Sequence, residues 1–283
     1  MLAALALQAG YNAALVSIGA ALLGAAAGGA GAFLTLRRRA LMSDAMAHAT
    51  LPGIALGFLA MVALGGDGRF LPGLMLGAAL TAALGLWSVQ MILRRLPEDT
   101  ATGAVLSTFY GFGIVLLTVI QGLGQGRPAG LETVLLGSTA GMLRADAIVI
   151  AAGGAGVLAV LWLLHRPLAM VAFDPVQARL AGLRPETFDT VLMGVVLAVV
   201  LVGLNVTGLI LIVALLVTPA VTARLWAGTV GGVARLSALI GAGCGYVGAA
   251  ISAGVPDVPT GPVIVLLASA LFVLSLLIRG RHG

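Results

Sequence analysis

The sequence predicts an all-α fold, a polytopic transmembrane helix bundle of about nine spans, with eight to ten as the range. The first observation is composition, because 60% of the 283 residues are hydrophobic and only 9% are charged. Soluble domains are about 25% charged, so this chain lacks the polar residues to cover a water-facing surface. The second is the recurrence of apolar runs long enough to cross a bilayer. We therefore expect residues 1–283 to form a single transmembrane domain.

The charged residues exclude several classes of function. The chain has no lysine, and a phosphate-binding P-loop requires one after its glycines. Any ATP must therefore be hydrolysed by a separate subunit. We also predict that the chain carries no cofactor and is not an enzyme, since it has neither the HExxH motif nor a second cluster of His, Asp and Glu. The net charge of +5 is explained by membrane topology rather than by binding to nucleic acid. Cys244 is the only cysteine, which excludes a thiolate metal cluster within one chain.

Nine apolar runs follow one another along the chain. The predicted spans are residues 11–36, 40–64, 71–93, 98–120, 147–164, 191–202, 208–225, 233–253 and 263–278. Residues 121–142 are rich in glycine, and we expect them to be external, with a short helix at 131–136. Residues 203–207 are expected to join the sixth span to the seventh.

The distribution of arginine predicts the orientation of these spans. Twelve of the 15 arginines lie on one side of the predicted membrane, and only Arg69, Arg127 and Arg144 lie on the other. Cytoplasmic segments carry the excess of basic residues. The N-terminus is therefore predicted to be outside and the C-terminus cytoplasmic, with Arg37–Arg39 as the first cytoplasmic anchor.

The longest polar segment, residues 165–189, is predicted to be a cytoplasmic loop that contains a short helix. Asp174 stands at the N-cap position, Pro175 at the first helical position and Gly182 just beyond the end. This order of Asp, Pro and Gly is the one that helix ends prefer. Two interpretations remain open at this point, a solvated turn and a docking element for a partner protein.

A polar stretch interrupts the second apolar run. Asp44 and His48 are four residues apart, so they share one face of a helix, and Pro52 and Gly53 follow one turn later as a predicted helix break. A carboxylate and an imidazole together suit divalent ions such as zinc, manganese or iron. A structural Asp–His hydrogen bond and a proton relay are the alternatives, and all three stay open on these residues alone.

The polar stretch also carries a resemblance. Residues 43–55 are similar to the second-span motif of the membrane permeases of ATP-binding-cassette importers for zinc and manganese. Three further blocks agree in order and spacing, namely residues 98–103, 173–183 and 208–225, the last with Thr218-Pro219-Ala220. The resemblance covers residues 12–278 and implies a fold like that of type II importers of this class.

The resemblance implies partners and roles. The permease would sit in the bacterial plasma (inner) membrane as a homodimer or a pair of like subunits, surrounded by lipid. A cytoplasmic ATP-binding-cassette ATPase would bind the ATP, and an extracytoplasmic metal-binding protein would deliver the ion. Asp44 and His48 match residues that coordinate the metal or gate its path. The residues matched to the coupling helix that enters the ATPase are Asp174, Pro175, Gln177, Ala178, Arg179 and Gly182.

Pro52, Gly53 and Pro219 are predicted to be helix breaks with a gating role. The resemblance also bears on the transported ion. The Leu-Pro-Gly form of the motif occurs in manganese, iron and zinc members, so the ion is predicted to be zinc or manganese, with iron as a third candidate.

Two classes of transporter remain. The first is the permease subunit of an importer driven by a separate ATPase. The second is a stand-alone ion- or proton-coupled secondary metal transporter that uses Asp44 and His48 as its relay. In both classes the pair lies in the cytoplasmic half of its span by residue count. Protonation of the imidazole competes with the ion, so we expect uptake to fall as the pH drops.

Overall fold

The computed structural model describes residues 11–66, 70–122, 144–254, 258 and 260–279. These residues form helices and no strand. The helices are α1 (Tyr11–Leu36), α2 (Ala40–Ala63), α3 (Leu71–Ile92), α4 (Glu98–Gly122), α5 (Arg144–Leu163), α6 (His165–Phe173), α7 (Pro175–Leu180), α8 (Pro185–Trp226), α9 (Val230–Gly254) and α10 (Thr260–Arg279). The short helix predicted at 131–136 lies outside the described residues, as do Arg69 and Arg127.

Candidate membrane spans can be counted among the described residues. Within the described residues, seven helices are long and apolar enough to cross a membrane. An eighth span is obtained if α5 and α6, which meet at a bend of 64°, are counted as one. The apolar helical segment Leu211–Trp226 falls within the region of the predicted seventh span, residues 208–225.

The connection predicted at residues 203–207 is helical rather than a loop, because the helical backbone of α8 runs from Pro185 to Trp226. This helix cannot be straight. A Cβ atom added to Gly203 would lie 3.3 Å from the Cβ atom of Ile212. Nine residues of straight helix would separate the two positions by about 13.5 Å. The chain therefore turns back between the two residues. As a result, the predicted sixth and seventh runs are two separate helical segments.

Backbone contacts divide the chain into two compact units. The first unit lies within Met1–Ala40 and Gly137–Gly283, and the second lies within Leu41–Leu136. The first unit contains α1 and α5 to α10, and the second contains α2 to α4. The polar stretch at Asp44 and the loop at 165–189 thus belong to different units.

In the first unit, small residues bring the backbones of α1 and α9 together. A Cβ atom added to Gly24 would lie 2.1 Å from the carbonyl oxygen of Gly241, and the reciprocal distance is also 2.1 Å. Ser237 of α9 donates a hydrogen bond to the carbonyl oxygen of Gly28 at 2.6 Å. Small residues at helix crossings provide dispersion contacts and interhelical hydrogen bonds, which hold helices together in lipid.

In the second unit, α2 packs tightly against its two neighbours around Pro52. A Cβ atom added to Gly53 would lie 2.1 Å from the carbonyl oxygen of Gly77 on α3. A Cβ atom added to Gly113 of α4 would lie 2.7 Å from the Cβ atom of Leu51 and 3.2 Å from the Cδ atom of Pro52. The segment that follows Asp44 and His48 is therefore held on two sides by helix backbone.

Candidate functional site: a carboxylate–imidazole pair and a capped surface helix

Asp44 and His48 lie on one face of α2, as the spacing predicted. The Nε2 atom of His48 is 3.3 Å from the Oδ1 atom of Asp44. Since α2 begins at Ala40, the two residues stand about 6 Å and about 12 Å along its axis from that end. The side chains are 37% exposed for Asp44 and 23% exposed for His48, so both are reachable without being freely solvated.

The separation of these two atoms fits a shared metal ion. Zinc lies about 2.1 Å from nitrogen and oxygen ligands. Two ligands at that distance are about 3.0 Å apart at an octahedral edge and about 3.4 Å apart at a tetrahedral edge. The observed 3.3 Å falls between these values. Nε2 and Oδ1 can therefore both bind one divalent ion with little movement of either side chain.

The second nitrogen of His48 is buried and finds no hydrogen-bond partner in the described part of the chain. When the ring is neutral and Nε2–H points at the carboxylate, Nδ1 carries the lone pair. In this arrangement Nε2 donates to Asp44, so a metal ion can take the Nε2 lone pair only when the ring proton lies on Nδ1 instead.

Tyr110 of α4 completes the immediate surroundings of the imidazole. Its ring centroid lies 5.0 Å from that of His48, with an angle of 77° between the ring planes. An edge-to-face contact of this kind restricts the rotation of the imidazole. Sequence reasoning missed Tyr110, because it is 62 positions from His48 and no local pattern relates the two residues.

The pair has few further metal ligands within reach. No group of three or more His, Cys, Asp or Glu residues that could hold a metal ion occurs among the residues described. The nearby Met42 sulfur accepts a hydrogen bond from the Thr102 hydroxyl at 3.4 Å, and both residues are buried. Two protein ligands make a weak and open site, which suits an ion that is passed on rather than stored.

The predicted helix breaks do not end their helices. Pro52 lies inside α2 and Pro219 lies inside α8, and both are buried within helical backbone. Each prolyl ring still removes one backbone hydrogen bond from its helix. The gating role of Pro52, Gly53 and Pro219 stays a prediction.

The loop at 165–189 contains the short helix that the sequence predicted. The Asp174 carboxylate accepts hydrogen bonds from the backbone N–H groups of Val176 and Gln177 at 2.9 and 3.0 Å. At the other end, Gly182 has a φ of +82°, and the N–H of Leu183 donates to the carbonyl oxygen of Ala178 at 2.9 Å. This closing pattern requires a left-handed residue, which glycine adopts without steric cost. Helix α7 is therefore fixed at both ends.

Helix α7 presents an apolar surface outward. Leu180 and Phe173 are each 84% exposed, and Val176 is 64% exposed. Ala178, one of the predicted coupling residues, is completely buried and faces inward. The side chain of Arg179 is 61% exposed and pairs with Glu186 of α8. Three large exposed hydrophobic side chains around one short helix are typical of an interaction surface.

An arginine–aspartate clamp holds the base of this loop. Arg37 donates from Nε and Nη2 to the two carboxylate oxygens of Asp189, at 3.0 and 2.6 Å. Its Nη1 atom donates to the carbonyl oxygen of Val171 at 3.0 Å. Arg39 adds a contact to Asp189 at 3.4 Å. The end of α1 is thereby fixed to both ends of the segment that carries α7.

The clamp is shielded from water, because the side chains of Arg37 and Asp189 are 15% and 14% exposed. Bidentate Arg–carboxylate pairs are among the strongest charged contacts in proteins. The sequence interpretation took Arg37–Arg39 as a topology anchor and did not connect it with Asp189. The only feature of the sequence that points to this contact is an arginine run followed by an acidic residue at the start of a later span.

Comparison with known proteins relates the chain to metal transport systems. The model of the ABC 3 transport family matches residues 11–279. The manganese transport system membrane protein MntC of Bacillus subtilis is 37% identical over 270 residues, which cover 95% of this chain and 61% of that protein. This chain thus matches less than two thirds of that relative's length. The zinc transport system membrane protein TroC of Treponema pallidum is 36% identical over 270 residues, which cover 95% of this chain and 89% of TroC.

A solved structure has the same arrangement of helices. PsaBC from Streptococcus pneumoniae, in complex with Fab, superposes with a TM-score of 0.81 and 31% sequence identity. The match covers 98% of this chain and 95% of that one. A likeness over nearly the whole length confirms the predicted all-α transmembrane fold.

Proposed function

We infer that this chain, which belongs to the ABC 3 transport family, is the membrane permease subunit of an ATP-driven importer for divalent manganese or zinc ions. It is a multi-pass membrane protein and is not itself catalytic. The observation that carries the metal assignment is the 3.3 Å separation of His48 Nε2 and Asp44 Oδ1 on an apolar helix. The transported ion is the substrate, with manganese and zinc as the leading candidates and iron as a third.

The proposed transport step begins with an ion delivered by an extracytoplasmic metal-binding protein. The ion loses water in stages and is held by the Asp44 carboxylate and the neutral His48 imidazole. Tyr110 limits rotation of the ring, so that Nε2 stays directed at the carboxylate. Because only two side chains hold the ion, water or a second copy of the permease completes its coordination.

The proposed partner on the cytoplasmic side is an ATP-binding-cassette ATPase. Its docking site is an exposed apolar surface formed by Phe173 at the end of α6 and by Val176 and Leu180 of α7. The excess of arginine on one side of the predicted membrane supports this proposal, in which α7 lies in the cytoplasm and the N-terminus lies outside. Asp174 and Gly182 fix the two ends of this helix, so the docking element is rigid before the ATPase binds.

The first test of the function is the response of ATP hydrolysis to the ion. The permease is reconstituted with its ATPase and metal-binding protein, and the ATPase rate is measured with manganese, zinc and calcium. We expect manganese or zinc to stimulate hydrolysis, and calcium to have no effect because it prefers oxygen ligands to imidazole. Uptake by the permease alone, without any ATPase, would instead establish the stand-alone secondary transporter.

A second prediction concerns docking at α7. Gly182→Ala places a Cβ atom on a residue with a φ of +82°, which costs about 1–2 kcal/mol. That strain corresponds to an about 5–30-fold loss of the docking-competent form, so less ATPase should co-purify. The matched control is Gly194→Ala, where an added Cβ meets nothing within 4 Å. Equal ATPase recovery from both variants would refute the docking assignment.

A further inference from the structure

A cavity of about 510 Å³ lies in the first unit, among helices α1, α5, α6 and α9. Its size falls within the about 300–1,000 Å³ range of ligand cavities. The wall is mainly apolar, with Phe33 from α1 and Leu158 and Leu161 from α5. Asp44, His48 and the exposed surface of α7 do not line it, so it is distinct from the sites described above.

The arginine and the histidine of this cavity lie at one end. Arg235 stands in the second turn of α9, and its Nε atom donates to the carbonyl oxygen of Gly231 at 3.1 Å, which directs the guanidinium toward the start of the helix. His165 follows the bend after α5, and its Nδ1 atom contacts the carbonyl oxygen of Trp162 at 2.7 Å. His165 begins α6 and Arg235 lies one turn into α9, so both residues stand near the end of a predicted span. The cavity is therefore amphipathic, with an apolar interior and a cationic mouth.

The surroundings of the mouth match a membrane interface. Trp162 lines the cavity and is 74% exposed, and Leu163 beside it is 68% exposed. Tryptophan is enriched where the hydrocarbon region of a bilayer meets its headgroups. Basic pockets between transmembrane helices recognise anionic headgroups. An acyl chain matches the apolar wall, and a phosphate matches Arg235 and His165.

We propose that this cavity is a binding site for an anionic phospholipid, with one acyl chain between α1, α5 and α9 and the phosphate at Arg235 and His165. Charge complementarity favours this occupant over a second copy of the chain, because the whole sequence contains only ten acidic residues to place against Arg235. A small anion without an acyl chain leaves the apolar wall unfilled. The bound lipid packs against the bend between α5 and α6 and stabilises it.

The test is native mass spectrometry of the purified protein in a neutral detergent, with phosphatidylglycerol or phosphatidylcholine added. We expect a phosphatidylglycerol adduct that survives gentle activation, and a weaker phosphatidylcholine adduct. Arg235→Gln should lower phosphatidylglycerol affinity about tenfold, the scale of one lost charge-assisted hydrogen bond. Ala238→Phe, which fills the cavity and keeps the charge, should lower the affinity for both lipids.

The matched control is Arg224→Gln, which removes the same charge from an exposed position of the same unit that does not line the cavity. It should bind phosphatidylglycerol as the parent does. Equal affinity of the parent and Arg235→Gln for phosphatidylglycerol would overturn the proposal. A change in oligomeric mass on Arg235→Gln, with lipid counts unchanged, would assign the cavity to a second copy and overturn it as well.

Discussion

Asp44→Ala and His48→Ala are each expected to abolish metal uptake into proteoliposomes while the complex still assembles and hydrolyses ATP. Loss of a group that merely supports a metal ligand costs about 10–100-fold in affinity or activity, and loss of one of two ligands costs more. The two atoms that would hold the ion are 3.3 Å apart, so loss of either side chain removes one of the two proposed protein ligands. The measurement is uptake of radioactive manganese or zinc.

Asp44→Asn separates the competing interpretations of this pair. Its amide oxygen can accept the same hydrogen bond from His48, but it lacks the charge that binds a cation. A structural pair therefore tolerates this change, whereas a metal site loses most of its uptake. Thr108→Val is the control, because the Thr108 hydroxyl donates at 2.8 Å to the carbonyl oxygen of Ala104 in its own helix. Normal uptake by Asp44→Asn would rule out a metal role for Asp44.

Asp189→Asn is expected to uncouple ATP hydrolysis from transport. The substitution removes the carboxylate that pairs with Arg37, in a place where that carboxylate is only 14% exposed. Breaking a shielded pair on one side is strongly destabilising, because the remaining charge loses its partner without regaining water. Movement of the α7 loop would then no longer be transmitted to the end of α1, and α2 begins directly after Arg39. The measured quantity is the number of ions transported per ATP hydrolysed, which should fall several-fold.

The reversed pair, Arg37→Asp with Asp189→Arg, tests whether the contact itself matters. It restores opposite charges at the same positions and should recover part of the coupling ratio. Thr190→Val is the neighbouring control, since its hydroxyl donates only locally, to the Glu186 carbonyl oxygen at 2.9 Å. An unchanged ion-to-ATP ratio in folded Asp189→Asn would show that the clamp has no part in coupling.

Much of the fold was predictable because the relevant signals are local. Composition and run length predicted helices that cross a membrane, since a bilayer allows few other structures. The caps of α7 were predicted because Asp, Pro and Gly act on backbone groups within a few residues of themselves. Run length alone could not predict how the backbone is arranged at residues 203–212. There the backbone stays helical and yet folds back on itself.

The sequence by itself determined that Asp44 and His48 share a helical face, because that depends only on a spacing of four residues. Only the tertiary structure decided that Tyr110 lies against the imidazole and that Asp189 accepts from Arg37 across 152 positions of sequence. Such contacts depend on which helices pack together, and in lipid that packing is set by small residues such as Gly53 and Gly77. The pattern of residues within one helix therefore cannot predict which side chain of another helix lies against it.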